Sequence, residues 1–174
     1  MSGWTDRAMR VVARRYGCPL AFTGLIDAEA VCQGGVLSRP EMRPGDDDRP
    51  LGIQLMGRHP DRVARGGHLA VLNGYDVVDL NFACPAPSVA RLGQGGVMLG
   101  QPEAVGRIVR ATREAIDVPL LVKLRIGVDG GAEDRLAFWR VVELAAEAGV
   151  DAVTIHGRTV RQRYRGRADW SVVA

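Results

Sequence analysis

The chain has a single lysine. Its 22 other basic residues are arginines, so Lys123 stands alone in a sequence that otherwise writes positive charge as guanidinium. A compact, rotatable ammonium can be kept where a planar fork does not serve; survival by chance is the plain alternative. Cysteine and histidine are also scarce. Cys18, Cys32 and Cys84 lie far apart, and with only three histidines no ligand spacing for a metal emerges, so no metal site is expected. No stretch approaches the ~20 apolar residues of a membrane span. The opening "MSGWTDRAMR" has no apolar h-region, so no secretory signal is read, and reduced thiols in a cytoplasm are expected. Nor does a G-x-G-x-x-G turn follow the first strand pattern, which counts against a dinucleotide-binding sheet.

What remains is ordinary in amount but uneven in placement. With 174 residues, 47% of them apolar and a net charge of +3, the chain suits one sizeable core. The segment "RTVRQRYRGR", 158–167, carries five arginines around Tyr164, while the acidic run Asp46-Asp47-Asp48 sits far away in sequence. A basic loop with an embedded aromatic can follow a phosphate backbone; taken alone, it reads first as a solvated surface loop.

Five short apolar runs read as strands: "LAFTGL" (20–25), "LGIQLM" (51–56), "VVDLNF" (77–82), "LLVKLRI" (120–126) and "AVTIHG" (152–157). Helical patterns lie between several of them. After Pro102, residues Val105, Ile108, Val109, Thr112 and Ile116 share one face; from Glu133 on, Leu136, Trp139, Val142 and Ala146 are expected to do the same. Segments 60–73 and 5–16 are weaker helical candidates. Strands alternating with helices predict a parallel sheet covered by helices, an α/β fold. Each strand after the first also places polar residues on one face by period-2 alternation: Gln54; Asp79 with Asn81; Lys123 with Arg125; Thr154 with His156 and Arg158. Polar side chains from successive strand ends meeting at one mouth are how a (β/α) barrel builds a site, so an incomplete TIM (β/α)8 barrel is expected, with five to six of its eight strands and a stub of the first at Met1-Ser2-Gly3.

Cys84 follows the third strand and precedes Pro85, at the head of a glycine-rich loop. There a thiol can exchange a proton, although inert packing is the common role of a lone cysteine. Lys123 lies within Leu121, Val122, Leu124 and Ile126, and a buried ammonium needs an anionic or electron-rich partner. His156 can be a site residue or a satisfied structural one, and Gln54 an amide in any core.

Taken in order, "MSGWTDRAMR", "DLNFACPAPSVARLGQGGVMLGQPE", "PLLVKLRIG" and "AVTIHGRTVRQRYRGRADW" resemble the motifs of the tRNA-dihydrouridine synthases, flavin-dependent barrel enzymes that reduce uridines in tRNA. The resemblance implies FMN at the barrel mouth, NADPH as reductant, tRNA as substrate, and Cys84 as the acid that protonates uridine carbon 5. It implies flavin contacts at Met1, Ser2, Gln54, Lys123 and His156. Uridine or tRNA contacts are implied at Asn81, Arg125, Arg158, Arg161 and Arg163. Residues 1–174 would form part of the FMN-binding barrel, with the phosphate-gripping strand and a C-terminal helical tRNA-binding domain lying beyond Ala174. On that reading the 174 residues alone are expected to be a poor or inactive enzyme. Ser88 stands where family members often have a basic residue, and Gly24 where a glutamate commonly follows the threonine. A flavin-dependent reductase of free pyrimidines, or a non-catalytic RNA-binding fragment, are the alternatives. No protein partner can be inferred.

Overall fold

The computed structural model describes residues 5–173. Five strands, β1 (Ala21–Asp27), β2 (Leu51–Met56), β3 (Val77–Phe82), β4 (Leu120–Arg125) and β5 (Ala152–His156), form one sheet in the order β1-β2-β3-β4-β5. Every neighbouring pair is parallel. A doubly wound sheet reverses its order at a switch point. Here each strand adds beside the previous one, the sequence order of a (β/α) barrel. Five barrel strands are thus present among the described residues; the expected stub at Met1-Ser2-Gly3 lies outside them.

Six α-helices accompany the strands among the described residues: α1 (Arg7–Arg15), α2 (Ala28–Gln33), α3 (Pro60–Leu72), α4 (Pro87–Arg91), α5 (Pro102–Ala115) and α6 (Ala132–Glu147). Proline opens α3, α4 and α5, where its missing N–H costs nothing. The two short helices, α2 and α4, are not apparent in the sequence, because neither is long enough to display a 3.6-residue period. Asp27 ends β1 and caps α2, accepting from the Glu29 amide at 2.8 Å, which carries β1 two residues past its expected end. Among the described residues no helix is long and apolar enough to cross a membrane.

The core lies between sheet and helices. Leu51, Ile53 and Leu55 of β2, Val78, Leu80 and Phe82 of β3, and Leu120, Val122 and Leu124 of β4 are all buried in one cluster with α3, α5 and α6. The alternate residues of the same strands are left to the inner face. The predicted face of α5 is buried as expected, Val105, Ile108, Val109 and Thr112 included. The predicted face of α6 is not. Its buried residues are Phe138, Val141, Leu144 and Ala145, while Leu136 is 71% and Trp139 46% exposed. Two apolar stripes overlap on this helix, and the one bearing the fully buried Phe138 is turned inward. Spacing alone cannot choose between them.

Helix α1 is held by a buried ion pair that joins it to the acidic run. Arg10 and Asp48 are both fully buried, with Nε donating at 2.9 Å and Nη2 2.8 Å away. The remaining Arg10 donors reach the carbonyls of Thr5 and Glu41. Asp47 pairs with Arg7 at the surface. Removing one partner of a buried pair leaves an uncompensated charge, which typically costs ~3–5 kcal/mol. Arg10→Met is therefore expected to lower the unfolding free energy by about that amount in urea titrations, whereas Arg7→Met, at the exposed pair, should change it by less than about 1 kcal/mol.

A candidate active site at the strand C-termini

The inner face of the sheet presents a run of polar side chains in contact with one another. Gln54 Nε2 donates to Asp79 Oδ2 at 2.6 Å, and Asn81 Nδ2 donates to Gln54 Oε1 at 3.0 Å. Asn81 Oδ1 in turn accepts from the backbone amides of Ala83 and Cys84, at 3.0 and 2.9 Å. The backbone of Gln54 is itself held by Thr23, whose Oγ1 accepts from the Gln54 amide where β1 breaks register against β2. The end of β3 has its cause here. Asn81 takes over the N–H groups that pairing would otherwise satisfy, and Pro85 brings none of its own.

The loop after Cys84 wraps back against it. Gly96 donates its amide to the Cys84 carbonyl at 3.0 Å. A Cβ on Gly95 would sit 3.1 Å from the Cys84 Cβ at a φ of +67°, and one on Gly96 would sit 2.5 Å from Val160. The glycines are there because the chain must pass this close. From the other side, Arg125 is 2% exposed and donates to the carbonyls of Ala83 (2.7 Å), Thr159 (3.0 Å) and Arg163 (2.8 Å). It thereby ties the Cys84 loop to the basic loop after β5. Its guanidinium also lies 5.6 Å from the ring centre of Tyr164.

These residues border a cavity of about 780 Å³, within the range of small-molecule sites. Gln54, Asp79, Asn81, Cys84, Lys123, Arg125, Thr154, His156 and Tyr164 contribute polar or aromatic groups, and Met9, Phe22 and Leu25 contribute apolar wall. Burial pushes the Asp79 carboxyl up to about 6, against the downward pull of its Gln54 hydrogen bond and of Lys123. Burial likewise lowers Lys123, which Asp79 partly restores and Arg125 lowers further. His156 is lowered by burial and by Arg125, Lys123 and Arg158, which favours a neutral imidazole at pH 7.

Of the residues expected from sequence, Gln54, Asn81, Cys84, Lys123, Arg125 and His156 come together here. Met1 and Ser2 lie outside the described residues. Arg158 borders the site through His156, with Nη1 3.5 Å from Nε2, and its other nitrogens grip the Gly166 carbonyl. Arg161 and Arg163 do not line this cavity. With Arg91 and Arg165 they line a neighbouring cleft of about 610 Å³ that shares Pro85 with it. The sequence reading gives no role to Asp79, although it occupies the same strand face as Asn81, nor to Arg91; Arg165 belongs to the basic loop in which a phosphate contact is expected.

Contiguous parallel strands and a polar mouth at their C-terminal ends define a (β/α)8-barrel protein with its site in the usual place for that fold. The comparison with known families gives the same answer more narrowly. The sequence profile of the dihydrouridine synthases matches residues 1–174. The chain belongs to the dihydrouridine synthase family. It is 32% identical over 173 residues to a probable tRNA-dihydrouridine synthase of Rhizobium leguminosarum bv. phaseoli, covering 99% of this chain and 53% of that protein. It is 34% identical over 176 residues to probable tRNA-dihydrouridine synthase 1 of Synechocystis sp., covering 100% and 48%. It is 30% identical over 174 residues to tRNA-dihydrouridine synthase B of Pseudomonas aeruginosa, covering 100% and 52%. The chain thus spans about half the length of these curated relatives.

Asp79 has a measurable consequence for stability. Its carboxyl is raised from the usual 3.8 to about 6 in the fold. The folded state then holds a proton that the unfolded chain has released, so stability falls as pH rises between about 4 and 6 and is level above. At ~1.4 kcal/mol per unit, the loss is about 3 kcal/mol. Asp79→Asn removes this dependence. Urea unfolding at pH 4.5 and 7 should show the wild type losing stability relative to the variant, and parallel curves would contradict the assignment.

Proposed function

We propose that this chain carries the catalytic face of a tRNA-dihydrouridine synthase that uses FMN, with NADPH as reductant, to reduce uridine in tRNA. The observation that carries the reading is Cys84, fixed at the edge of a flavin-sized cavity whose polar wall includes Gln54, Asn81 and Lys123. The names of the relatives support the substrate. These residues fit a flavin: a half-buried ammonium and two amides suit the acceptor-rich pyrimidine edge of the ring, and apolar wall suits its hydrocarbon end.

FMN held by Gln54, Lys123 and His156 would supply carbon 6 of the uracil ring with a hydride that comes from NADPH. Cys84 gives its proton to carbon 5 as the C5–C6 π bond is lost, and regains one from solvent. The products are dihydrouridine and NADP⁺, and the atoms balance. Asn81 holds the loop that carries the thiol and offers its remaining N–H to a ring carbonyl. Neutral His156 can donate to a second acceptor, and exposed Tyr164 offers a face on which a flipped pyrimidine can stack. Arg91, Arg161, Arg163 and Arg165 make the adjoining cleft a track for the phosphates flanking that base.

The test is a tRNA lacking dihydrouridine, incubated with FMN, NADPH and these residues carried in a chain of the relatives' full length, and read by mass spectrometry for the gain of two hydrogens. Cys84→Ala should lower the rate ~10²–10⁴-fold and leave FMN affinity unchanged. Reduction of free uracil with none of tRNA would assign the chain to the free-pyrimidine reductases instead. Arg165→Gln should weaken tRNA binding and make the slope of log affinity against log salt shallower by about 1.

A further inference from the structure

Asp79 makes no contact that the proposed reaction requires, yet it is 4% exposed and its Oδ1 has no hydrogen-bond partner among the described residues. Burying a carboxylate in this way is unfavourable unless something depends on it. What depends on it can be traced atom by atom. A carboxylate only accepts, whereas the amides of Gln54 and Asn81 can each present either an oxygen or an NH₂. With Asp79 accepting from Gln54 Nε2, Gln54 must turn its oxygen to Asn81, and Asn81 must turn its own oxygen to the amides of Ala83 and Cys84. If the amides were reversed, Asn81 would bring an NH₂ against two backbone N–H groups, and the hold on Cys84 would be lost.

We propose that Asp79 is a positioning residue: the acceptor-only end of the chain Asp79–Gln54–Asn81, it sets the direction of both amides and so fixes the backbone of Cys84 at the cavity edge. The second oxygen completes the argument. Lys123, on the neighbouring strand, acts on Asp79 through its charge without an ion-pair contact, and Thr23, on the far side, uses its hydroxyl to accept from the Gln54 amide and to donate to the Gly24 carbonyl. A carboxylate presents an acceptor to Gln54 with either oxygen. An asparagine has a single oxygen, and when its NH₂ is the group that faces Gln54 the chain is reversed.

The proposal rests on the flavin-dependent reading only for the purpose of holding Cys84; the hydrogen-bond direction is a property of the protein alone. It is tested by amide hydrogen exchange in the full 174-residue chain without ligand. In Asp79→Asn, exchange at Ala83 and Cys84 should quicken about tenfold, with Asn81→Ala marking the effect of losing the acceptor altogether. Moving the carboxylate one link along, in the double variant Asp79→Asn/Gln54→Glu, should restore protection. The carboxylate introduced in place of the Gln54 amide then accepts from both neighbours, and Asn81 again turns its oxygen to the loop. Unchanged exchange in Asp79→Asn overturns the proposal. So does a double variant no better protected than the single one, which would mean that bulk or fold stability, not direction, is what Asp79 supplies. Core amides at Val122 and Leu124 report global opening in each protein. FMN titration of the same proteins separates the two ideas: the exchange pattern above with no flavin bound by any of them keeps the relay and removes the flavin reading.

Discussion

The inner face of this sheet gathers a carboxylate, an ammonium, a guanidinium and two amides, and links the carboxylate and the amides in one directed chain of hydrogen bonds. Everything about the site follows from how that is done. The strands are parallel and in register, so that Gln54 lies opposite Asp79 and Asn81 opposite Lys123. Side chains that alternate along each strand therefore meet across strands, and the apolar alternates do the same on the helical side. One register shift would exchange the two sets and bury the polar row in the core. The packing of Leu51, Ile53, Leu80, Val122 and Leu124 against the helices is thus also what aims Asp79, Asn81 and Lys123 at the cavity.

Much of this is legible in the sequence, for a definite reason. A polar residue within an apolar strand is conspicuous, and period-2 alternation says which others share its face, so the sheet, its strands and the gathering of Gln54, Asn81, Lys123 and His156 can be read before any coordinates. Pairing partners cannot. Nothing in "GDDDR" says that Asp48 will meet Arg10 across 38 residues of chain, because a buried ion pair depends on two loops arriving together. The inward face of α6 escapes for a similar reason, since two apolar stripes compete and only the neighbouring α5 and sheet decide. The family resemblance groups Arg161 and Arg163 with the substrate contacts, but only the fold shows that the loop carries them to the adjoining cleft and not to the mouth itself. Asp79 is visible as a face-mate of Asn81 but acquires no role, because the direction of a hydrogen bond is not a property of sequence.

The two loops that flank the mouth have different work, and Arg125 makes them one device. Its fork reaches Ala83, immediately before the thiol, and Thr159 and Arg163 within the arginine-rich loop. A guanidinium can hold several carbonyls in a fixed plane, whereas lysine's ammonium, a point charge on a flexible stem, could not. The same chain therefore uses its many arginines and its one lysine for different ends: Arg125 sets the spacing between the Cys84 loop and the arginine-lined cleft, and Lys123 supplies charge to the cavity. Cys84 is consequently positioned from both sides, by the amide chain from Asp79 across β2 and β3 and by Arg125 from β4. A substrate phosphate that pulled on the Arg161–Arg165 segment would act on the Arg163 carbonyl and so on the same guanidinium that holds Ala83. The Arg163 and Ala83 carbonyls thus share one guanidinium, so that a displacement of the basic loop bears on the Cys84 loop through hydrogen-bonded groups.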